Sequence, residues 1–289
     1  AWSDGILGDV SIDAASVSDP VLIRHDGQVL YTLASVVDDI EMGVTDVVRG
    51  SDHVTNTATQ IQMIEALGGT PPRFAHHSLL TGPAGEALSK RLGTLALRDL
   101  RARGIEPMAL LSLMARIGSA DPVEVRASHE ELIEGFDVTR FSSAPTKFDV
   151  EDLVPLSHKV LAGLPAGEVE PELAEAGVPQ DLREAYWTAV RGNIETRKEA
   201  GSWWPVFRDG ATAAVAEEDR MFVAEALALL PEPPYTADTW GGWTSSVKDK
   251  TGRTGKSLFM PLRLAITGAP RGPEMAEVMP LLQTKPRLS

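Results

Sequence analysis

Short blocks of apolar and polar residues between residues 21 and 80 predict an α/β arrangement. Val21–Arg24 and Gln28–Tyr31 are β-rich runs on either side of an Asp-Gly turn pair, a pattern that predicts a hairpin. From Leu33 to Ile40 the apolar residues recur at helical spacing, and Gly43 follows as a stop signal. The chain is therefore expected to pass from a hairpin into a helix.

Two further strands and a second helix follow. Thr45–Arg49 reads as a strand, and the segment after the N-cap candidates Ser51 and Asp52 reads as a helix ending at Gly68. The next strand is the run RFAHHSLL, residues 73–80. Alternating strands and helices with short connections predict a parallel sheet, in which ligands bind at the carboxyl ends of the strands.

Beyond residue 93 the pattern becomes mostly helical, with Gly or Pro in most of the gaps. The predicted helices are Thr94–Arg103, Pro107–Ile117, Glu124–Glu134, Val150–Ala162, Gln180–Ala200, Thr212–Leu229, Ser257–Thr267 and Pro273–Leu282. Pro231, Pro233 and Pro234 mark a linker. The two tryptophan pairs, 203/204 and 240/243, are interpreted as core of this helical region.

Composition narrows the class of protein. The 289 residues include no cysteine, which excludes disulfides, thiolate nucleophiles and cysteine-bound metals and fits a reducing cytoplasm. No apolar run has the roughly 20 residues that a membrane helix needs, and the first residues lack a signal-peptide pattern. We therefore expect a cytoplasmic protein with no membrane contact.

Charge is distributed unevenly along the chain. The net charge is −14, but residues 240–289 carry +5 and the preceding residues −19. A basic end on an acidic body can bind a polyanion locally. The alternative is a solvated surface with an uneven spread of charge.

Two cationic positions are candidates for chemistry. Arg49 lies at the carboxyl end of a predicted strand, where its guanidinium could hold a carboxylate in a bidentate fork or form a structural ion pair. Lys90, between Ser89 and Arg91, could stabilise a phosphate during group transfer, or it could belong to an exposed basic loop.

Other motifs are weaker. Thr251–Ser257, TGRTGKS, has two residues between its glycines where a phosphate-binding P-loop needs four, so we read it as a basic turn that enters a helix. His76 and His77 are consecutive on a strand and face opposite sides, so they cannot chelate one ion together. Asp38 and Asp39 are interpreted as a solvated helix face.

The run SDPVLIRHDGQVLYTLASVVDDIEMGVTDVVRGSDHVTNTATQ, followed by FAHHSLLTG and LSKR, resembles the second half of the catalytic domain of glutamyl-tRNA synthetases. These are class I aminoacyl-tRNA synthetases. A looser likeness extends to the tail GKSLFMPLRLAITG, so it covers nearly the whole chain. The resemblance implies half of a Rossmann fold followed by a mostly α-helical anticodon-binding region.

The resemblance also implies roles for site residues in glutamate binding. The family arginine that pairs with the γ-carboxylate of glutamate falls on Arg49, and a substrate-contacting tyrosine falls on Tyr31. Ser35 stands where many members have an asparagine that contacts the substrate, and its shorter hydroxyl could act through a water.

For ATP, the resemblance assigns the second lysine of the family's Lys-Met/Leu-Ser-Lys-Arg loop to Lys90, as the catalytic cation at the α-phosphate. Ser89, Arg91, Asp52 and His53 are further ATP-binding candidates. Ala87 replaces the first lysine of that loop, which removes one cation. Mg²⁺ is expected to arrive with ATP, and no metal is expected on protein ligands.

The family's His-Ile-Gly-His signature is absent, because all six histidines (25, 53, 76, 77, 129 and 158) stand in other contexts. We therefore expect a C-terminal portion of a synthetase that lacks the N-terminal half of the catalytic domain and is inactive by itself. The expected domains are 1–93, the half Rossmann fold with the end of the acceptor-binding insertion; 94–150, a connecting helical domain; and 151–289, the anticodon-binding domain.

The parent protein is expected to act as a monomeric glutamate–tRNA ligase on tRNA(Glu), L-glutamate and ATP. Two alternatives stay open at this point: a tRNA-binding paralogue without catalysis, and a relative of glutaminyl-tRNA synthetases. Arg49 favours glutamate over the neutral glutamine.

Overall fold

A computed structural model describes residues 1–86, 88, 96–211 and 215–288 of the chain. The chain divides into two compact units. The first comprises Ala1–Asp99 with Met108–Leu153, and the second comprises Leu100–Pro107 with Val154–Ser289.

The first unit contains a four-stranded sheet in the order β2-β1-β4-β3. Its strands are β1 (Trp2–Asp4), β2 (Gly8–Val10), β3 (Asp46–Gly50) and β4 (Arg73–His77). β4 runs parallel to both β3 and β1, whereas β2 pairs with β1 in antiparallel orientation. The predicted parallel pairing of the two later strands is therefore confirmed, and the complete sheet is mixed.

Two helices accompany this sheet. The first, α1 (Tyr31–Met42), ends at Gly43 in a left-handed conformation, as its sequence predicts. The second, α2 (Val54–Ala66), packs against α1. The N-cap prediction for Ser51 and Asp52 is wrong: both lie in a 3-10 turn, Ser51–His53, that precedes α2, and no side chain caps that helix.

The predicted hairpin forms only a short antiparallel contact. Ile23 bridges Val29, and backbone hydrogen bonds join Arg24 N–H to Gln28 O and Leu30 N–H to Leu22 O. These strands do not join the sheet. The third parallel strand is instead β1, which has only three residues and therefore too few positions to show an alternating pattern.

The remaining elements up to residue 152 are short. β5 (Leu80–Thr81) and β6 (Thr146–Lys147) form a second, parallel pair. The helices are α3 (Leu97–Arg103), α4 (Pro107–Met114) and α5 (His129–Glu134). Ser128 is the N-cap of α5, and its side chain accepts a hydrogen bond from Glu131 N–H.

From residue 153 onward the described chain is helical. Its α-helices are α6 (Leu153–Gly163), α7 (Glu170–Glu175), α8 (Arg183–Val190), α9 (Trp204–Asp209), α10 (Glu217–Leu229), α11 (Ala237–Thr251), α12 (Lys256–Thr267) and α13 (Met275–Val278). The apolar pattern of the sequence did not predict α7, α9 or α11. α11 was missed because it carries two glycines and buries only Trp243, Thr244 and Val247, so its apolar stripe is thin.

Aromatic side chains form the centre of the second unit, as expected. Trp204 and Trp243 are buried in its core, and Trp203 and Trp240 pack against that core with partial exposure. The indole of Trp243 donates to Ala226 O at 2.7 Å, so its one polar atom is satisfied.

The basic turn TGRTGKS behaves as predicted. Gly252 ends α11 in the left-handed region, Gly255 has a φ of 53°, and α12 begins at Lys256. Among the helices of the described residues, none is long and apolar enough to cross a bilayer.

Gly252, the residue that follows α11, and Gly242, within it, give a test of this helix in which the two expected effects have opposite signs. Gly252 has a φ of 72°, whereas Gly242 lies exposed within the helix, and a Cβ added at either residue would meet no atom within 4 Å. Gly252→Ala should destabilise the second unit by about 1 kcal/mol, because an alanine is strained at positive φ.

Gly242→Ala should stabilise the same unit by about 0.5–1 kcal/mol, because alanine loses less backbone entropy in a helix. Thermal unfolding of the two variants measures both effects. If both substitutions shifted the melting temperature in the same direction, the placement of Gly242 within α11 and of Gly252 at its left-handed end would be contradicted.

Candidate functional site

The register of β3 and β4 brings two functional side chains together. Arg49 on β3 is the direct partner of His76 on β4, so both side chains project from the same face of the sheet. Arg49 is the second-last residue of β3, which places its guanidinium at the carboxyl end of a parallel strand. This is the position expected from the sequence.

Four hydrogen bonds hold the guanidinium of Arg49. Its Nη2 donates to Thr57 Oγ1 at 2.5 Å, to Gln60 Oε1 at 2.7 Å and to the carbonyl oxygen of His53 at 3.4 Å. Its Nε donates to His76 Nε2 at 3.3 Å. The ring of Phe74 lies 5.5 Å from the guanidinium carbon. Together these contacts fix the direction of the side chain.

None of these partners is a carboxylate. Within the described residues Arg49 forms no ion pair with a carboxylate, and its Nη1 has no hydrogen-bond partner. The carboxylate that interacts with it through space is Asp39 on α1, whose pKa is raised by burial and by Asp38, while Arg49 acts in the opposite direction. The positive charge of Arg49 is therefore held in place but not neutralised by direct contact.

The interpretation of Asp38 and Asp39 as a solvated helix face is wrong for Asp39. Asp38 is exposed, as expected, but Asp39 is half-buried and lies within the electrostatic reach of Arg49. Neighbours on a helix point in different directions, which is why one of the two carboxylates turns inward.

The buried carboxylate of Asp4 contacts His76 on the ring nitrogen that does not face Arg49. Asp4 Oδ2 lies 2.5 Å from His76 Nδ1, and both side chains are fully buried. Burial alone would raise the pKa of Asp4, but hydrogen bonds from the His76 ring and from the backbone N–H groups of His76, Leu7 and Ile6 lower it to about 2. Asp4 is therefore ionised at neutral pH.

Tyr31 and Ser35 lie one helical turn apart on α1. Ser35 Oγ accepts a hydrogen bond from Gln60 Nε2 at 3.0 Å, so it joins the group of side chains around Arg49. Tyr31 is 56% exposed, and its ring centroid lies 6.2 Å from that of His53. The structure thus brings the three glutamate-binding candidates to one region.

Asp52 and His53 occupy the 3-10 turn that follows β3. Their side chains lie 3.7 Å apart and are both partly exposed. A Cβ on Gly50 would come within 2.5 Å of Asp52 Oδ1, so the absence of a side chain at residue 50 lets this carboxylate fold back over the strand end. Their assignment to ATP stays a prediction.

The catalytic candidate Lys90 and its neighbours Ser89 and Arg91 lie outside the described residues. The prediction for the histidine pair is confirmed, since His76 is buried and His77 is exposed on the other side of the strand. In the described part of the chain no three His, Asp or Glu side chains gather in a way that could hold a metal ion.

The sequence pattern did not single out three residues of this arrangement, Asp4, Thr57 and Gln60, or the supporting role of His76. A signal existed for two of them. Thr57 and Gln60 stand with Ile64 on the buried stripe of α2, at 0% and 3% exposure, where an amphipathic helix normally places apolar residues. Buried polar groups on such a stripe indicate a partner that needs hydrogen bonds.

Comparison with known proteins agrees with the fold of both parts. Residues 1–155 match the family model of tRNA synthetases class I (E and Q), catalytic domain, and residues 185–286 match an anticodon binding domain. The chain belongs to the class I tRNA synthetases. The expected fold class, a class I catalytic portion followed by a helical anticodon-binding region, is therefore confirmed.

The chain is similar to curated relatives from several bacteria. It is 68% identical over 282 residues to glutamate–tRNA ligase 1 of Roseobacter denitrificans and 69% identical over 282 residues to glutamate–tRNA ligase 1 of Ruegeria pomeroyi. In both cases the match covers 98% of this chain and 64% of the relative. The chain thus spans slightly less than two thirds of the length of these relatives.

Solved structures support the fold. A crystal structure of a glutamate tRNA ligase from Elizabethkingia meningosepticum, in complex with its amino acid, matches 97% of this chain and 62% of its own, with a TM-score of 0.78 and 23% identity. The glutamate–tRNA synthetase of Elizabethkingia anophelis gives a TM-score of 0.74 at 25% identity.

The Asp4 carboxylate gives a prediction for stability against pH. Its pKa is about 2 in the folded state and near 3.8 in the unfolded state, so its stabilising contribution is complete above about pH 4 and is lost as the pH falls toward 2. Asp4→Asn should lower the free energy of unfolding of the first unit at pH 7 by about 2 kcal/mol.

Hydrogen–deuterium exchange of the peptides that contain β1 and β4 measures the difference at pH 7. Urea unfolding between pH 5 and 2 then shows whether the parent and Asp4→Asn converge at low pH. Asp9→Asn, on the exposed part of β2, is the control and should change neither. A constant difference across this pH range would contradict the assigned role of the Asp4 charge.

Proposed function

We propose that this chain is part of a glutamate–tRNA ligase in which Arg49 binds the side-chain carboxylate of glutamate. The observation that supports this most strongly is the state of Arg49 itself. Its guanidinium is fixed by partners that are not carboxylates, and Nη1 has no hydrogen-bond partner within the described residues. A carboxylate ligand supplies both the missing charge and an acceptor for that nitrogen.

The same arrangement favours glutamate over glutamine. A neutral side-chain amide would bring no negative charge to Arg49, and it offers one acceptor oxygen and an N–H donor where a carboxylate offers two acceptor oxygens. Tyr31 and Ser35 are the further glutamate contacts in this proposal. Ser35 is oriented by Gln60, which also holds Arg49, so the two groups are positioned together.

For the activation step, ATP with its Mg²⁺ supplies the adenylyl group that converts the glutamate α-carboxylate into an adenylate, with release of pyrophosphate. The ammonium of Lys90 is assigned to the charge that develops at the α-phosphate. Ser89, Arg91, Asp52 and His53 are assigned to ATP binding. Ala87 supplies no charge at the first position of the loop.

For the transfer step, the activated glutamate is esterified to the terminal adenosine of tRNA(Glu), with release of AMP. In this proposal residues 94–150 contact the tRNA stem and residues 151–289 bind the anticodon. The +5 charge of residues 240–289 supports a polyanionic partner at that end. We further propose that the parent protein is a cytoplasmic monomer.

A chimera tests this function, because the chain spans 64% of its relatives. This chain replaces the matched segment of the Roseobacter denitrificans glutamate–tRNA ligase 1, with which it shares 68% identity. The chimera should attach glutamate, and not glutamine, to tRNA in an ATP-dependent reaction. The 289-residue chain alone should give only background ATP–pyrophosphate exchange in the presence of tRNA.

Each alternative function has its own outcome in this assay. A folded chimera that binds tRNA but activates no amino acid would favour the non-catalytic paralogue. Attachment of glutamine in preference to glutamate would favour the glutaminyl-tRNA synthetase relative. Robust exchange by the isolated chain would show that the expected dependence on an N-terminal half is wrong.

Variants at residue 49 test the carboxylate contact in the same chimera. Arg49→Ala should raise the KM for glutamate about 30-fold or more, because a hydrogen bond to a charged group contributes roughly 2 kcal/mol. Arg49→Lys should be intermediate, because an ammonium keeps the charge but lacks the planar fork. Aminoacylation at varied glutamate and at varied ATP separates the two substrates.

Arg73→Ala is the matched control. Arg73 lies on the adjacent strand at the opposite end of the sheet, is 82% exposed and pairs with Asp46. The Arg73→Ala variant should leave the KM for glutamate unchanged. An equal rise of the KM values for glutamate and ATP in Arg49→Ala would indicate a general disturbance of the site rather than a lost carboxylate contact.

A further inference from the structure

Three side chains form a continuous hydrogen-bonded line from the N-terminal strand to the substrate candidate Arg49. Asp4 contacts His76 Nδ1 at 2.5 Å, and His76 Nε2 accepts from Arg49 Nε at 3.3 Å. The line crosses three strands, β1, β4 and β3, in the order in which they lie in the sheet. Asp4 and His76 are completely buried, so water does not compete with these bonds.

The carboxylate of Asp4 is saturated with donors. Its Oδ1 accepts from the backbone N–H groups of Ile6, Leu7 and His76, and its Oδ2 accepts from the indole of Trp2 at 3.2 Å and from the His76 ring. Because an ionised carboxylate can only accept hydrogen bonds, the His76 nitrogen that faces Asp4 must carry a proton.

That proton determines the role of the other ring nitrogen. In the neutral imidazole with a proton on Nδ1, Nε2 is an acceptor. It can then receive the N–H of Arg49, with the hydroxyl of Thr57 as a second neighbour at 2.9 Å. The opposite tautomer, or a doubly protonated ring, would turn an N–H toward the Nε–H of Arg49 and push the guanidinium away.

We propose that Asp4 and His76 are positioning residues for Arg49: Asp4 selects the tautomer of His76, and His76 in turn aims the guanidinium at the substrate carboxylate. This inference rests on the proposed function, in which Arg49 contacts glutamate. Neither residue touches substrate in this scheme.

Two substitutions of His76 distinguish a positioning role from simple support of the fold. Asparagine at residue 76 can keep a donor near the Nδ1 position, facing Asp4, but its side chain is too short to reach Arg49. Glutamine can place an oxygen near the Nε2 position, facing Arg49, but leaves Asp4 without the ring donor. The two variants therefore break opposite ends of the line.

A first experiment uses the chain itself and does not depend on its activity. ¹⁵N NMR of the histidine rings should show His76 as a neutral imidazole protonated on Nδ1, and the Nε–H of Arg49 should exchange slowly with solvent. His76→Asn should make that Nε–H exchange rapidly, whereas His76→Gln should keep it protected. A proton on Nε2, or an Arg49 Nε–H that is insensitive to His76→Asn, would overturn the proposal.

A second experiment measures substrate binding in the chimera with the Roseobacter denitrificans enzyme. His76→Asn should raise the KM for glutamate about tenfold or more, with the KM for ATP near that of the parent and thermal stability only slightly reduced. His76→Gln should lose more stability but keep a KM for glutamate close to that of the parent.

If His76 only supported the fold, the KM for glutamate would rise in proportion to the loss of stability. His76→Gln, which loses more stability, would then show the larger rise. If the parent chimera attaches glutamate and the two variants follow that relation, the positioning role is excluded while the proposed function stands. If the parent chimera attaches no glutamate, the proposed function fails, and the NMR result alone decides whether His76 orients Arg49.

Discussion

The positive charge of Arg49 is held in the first unit by partners that are not carboxylates: Thr57, Gln60, the carbonyl oxygen of His53 and the ring of His76. This constraint governs the site, because hydrogen bonds to groups other than carboxylates fix the direction of a guanidinium without cancelling its charge. A carboxylate partner would have given a stronger contact and a site with no electrostatic preference for an anion. The absence of a carboxylate among the described partners leaves the charge available.

Holding such a charge imposes requirements on the fold. The pairing of β3 with β4 must place residue 49 directly beside residue 76, and a shift of one residue would turn one of the two side chains to the other face of the sheet. Helix α2 must present two polar residues, Thr57 and Gln60, on the stripe that it buries. Polar groups in these places weaken an apolar core unless each one has a partner, and here Arg49 and Ser35 supply the partners.

The sequence pattern predicted the elements that have strong local signals. Helix α1, with its glycine stop, and the strands that contain Arg49 and His76 follow from apolar spacing and turn residues. β1 escaped prediction because three residues carry no periodicity, and α11 because two glycines and a thin apolar stripe obscure a helix of 15 residues. Packing against the core of the second unit stabilises α11 in spite of its weak local preference.

The sequence by itself determined the family, the presence of a cation at the end of β3, and the opposite directions of His76 and His77, because these depend on residue identity and on the two-residue repeat of a strand. Only the tertiary structure decided what surrounds that cation. Asp4 and His76 are 72 residues apart in the chain, and Gln60 and Ser35 are 25 apart. Side chains so distant in sequence meet through strand order and helix packing, which no local pattern of residues encodes.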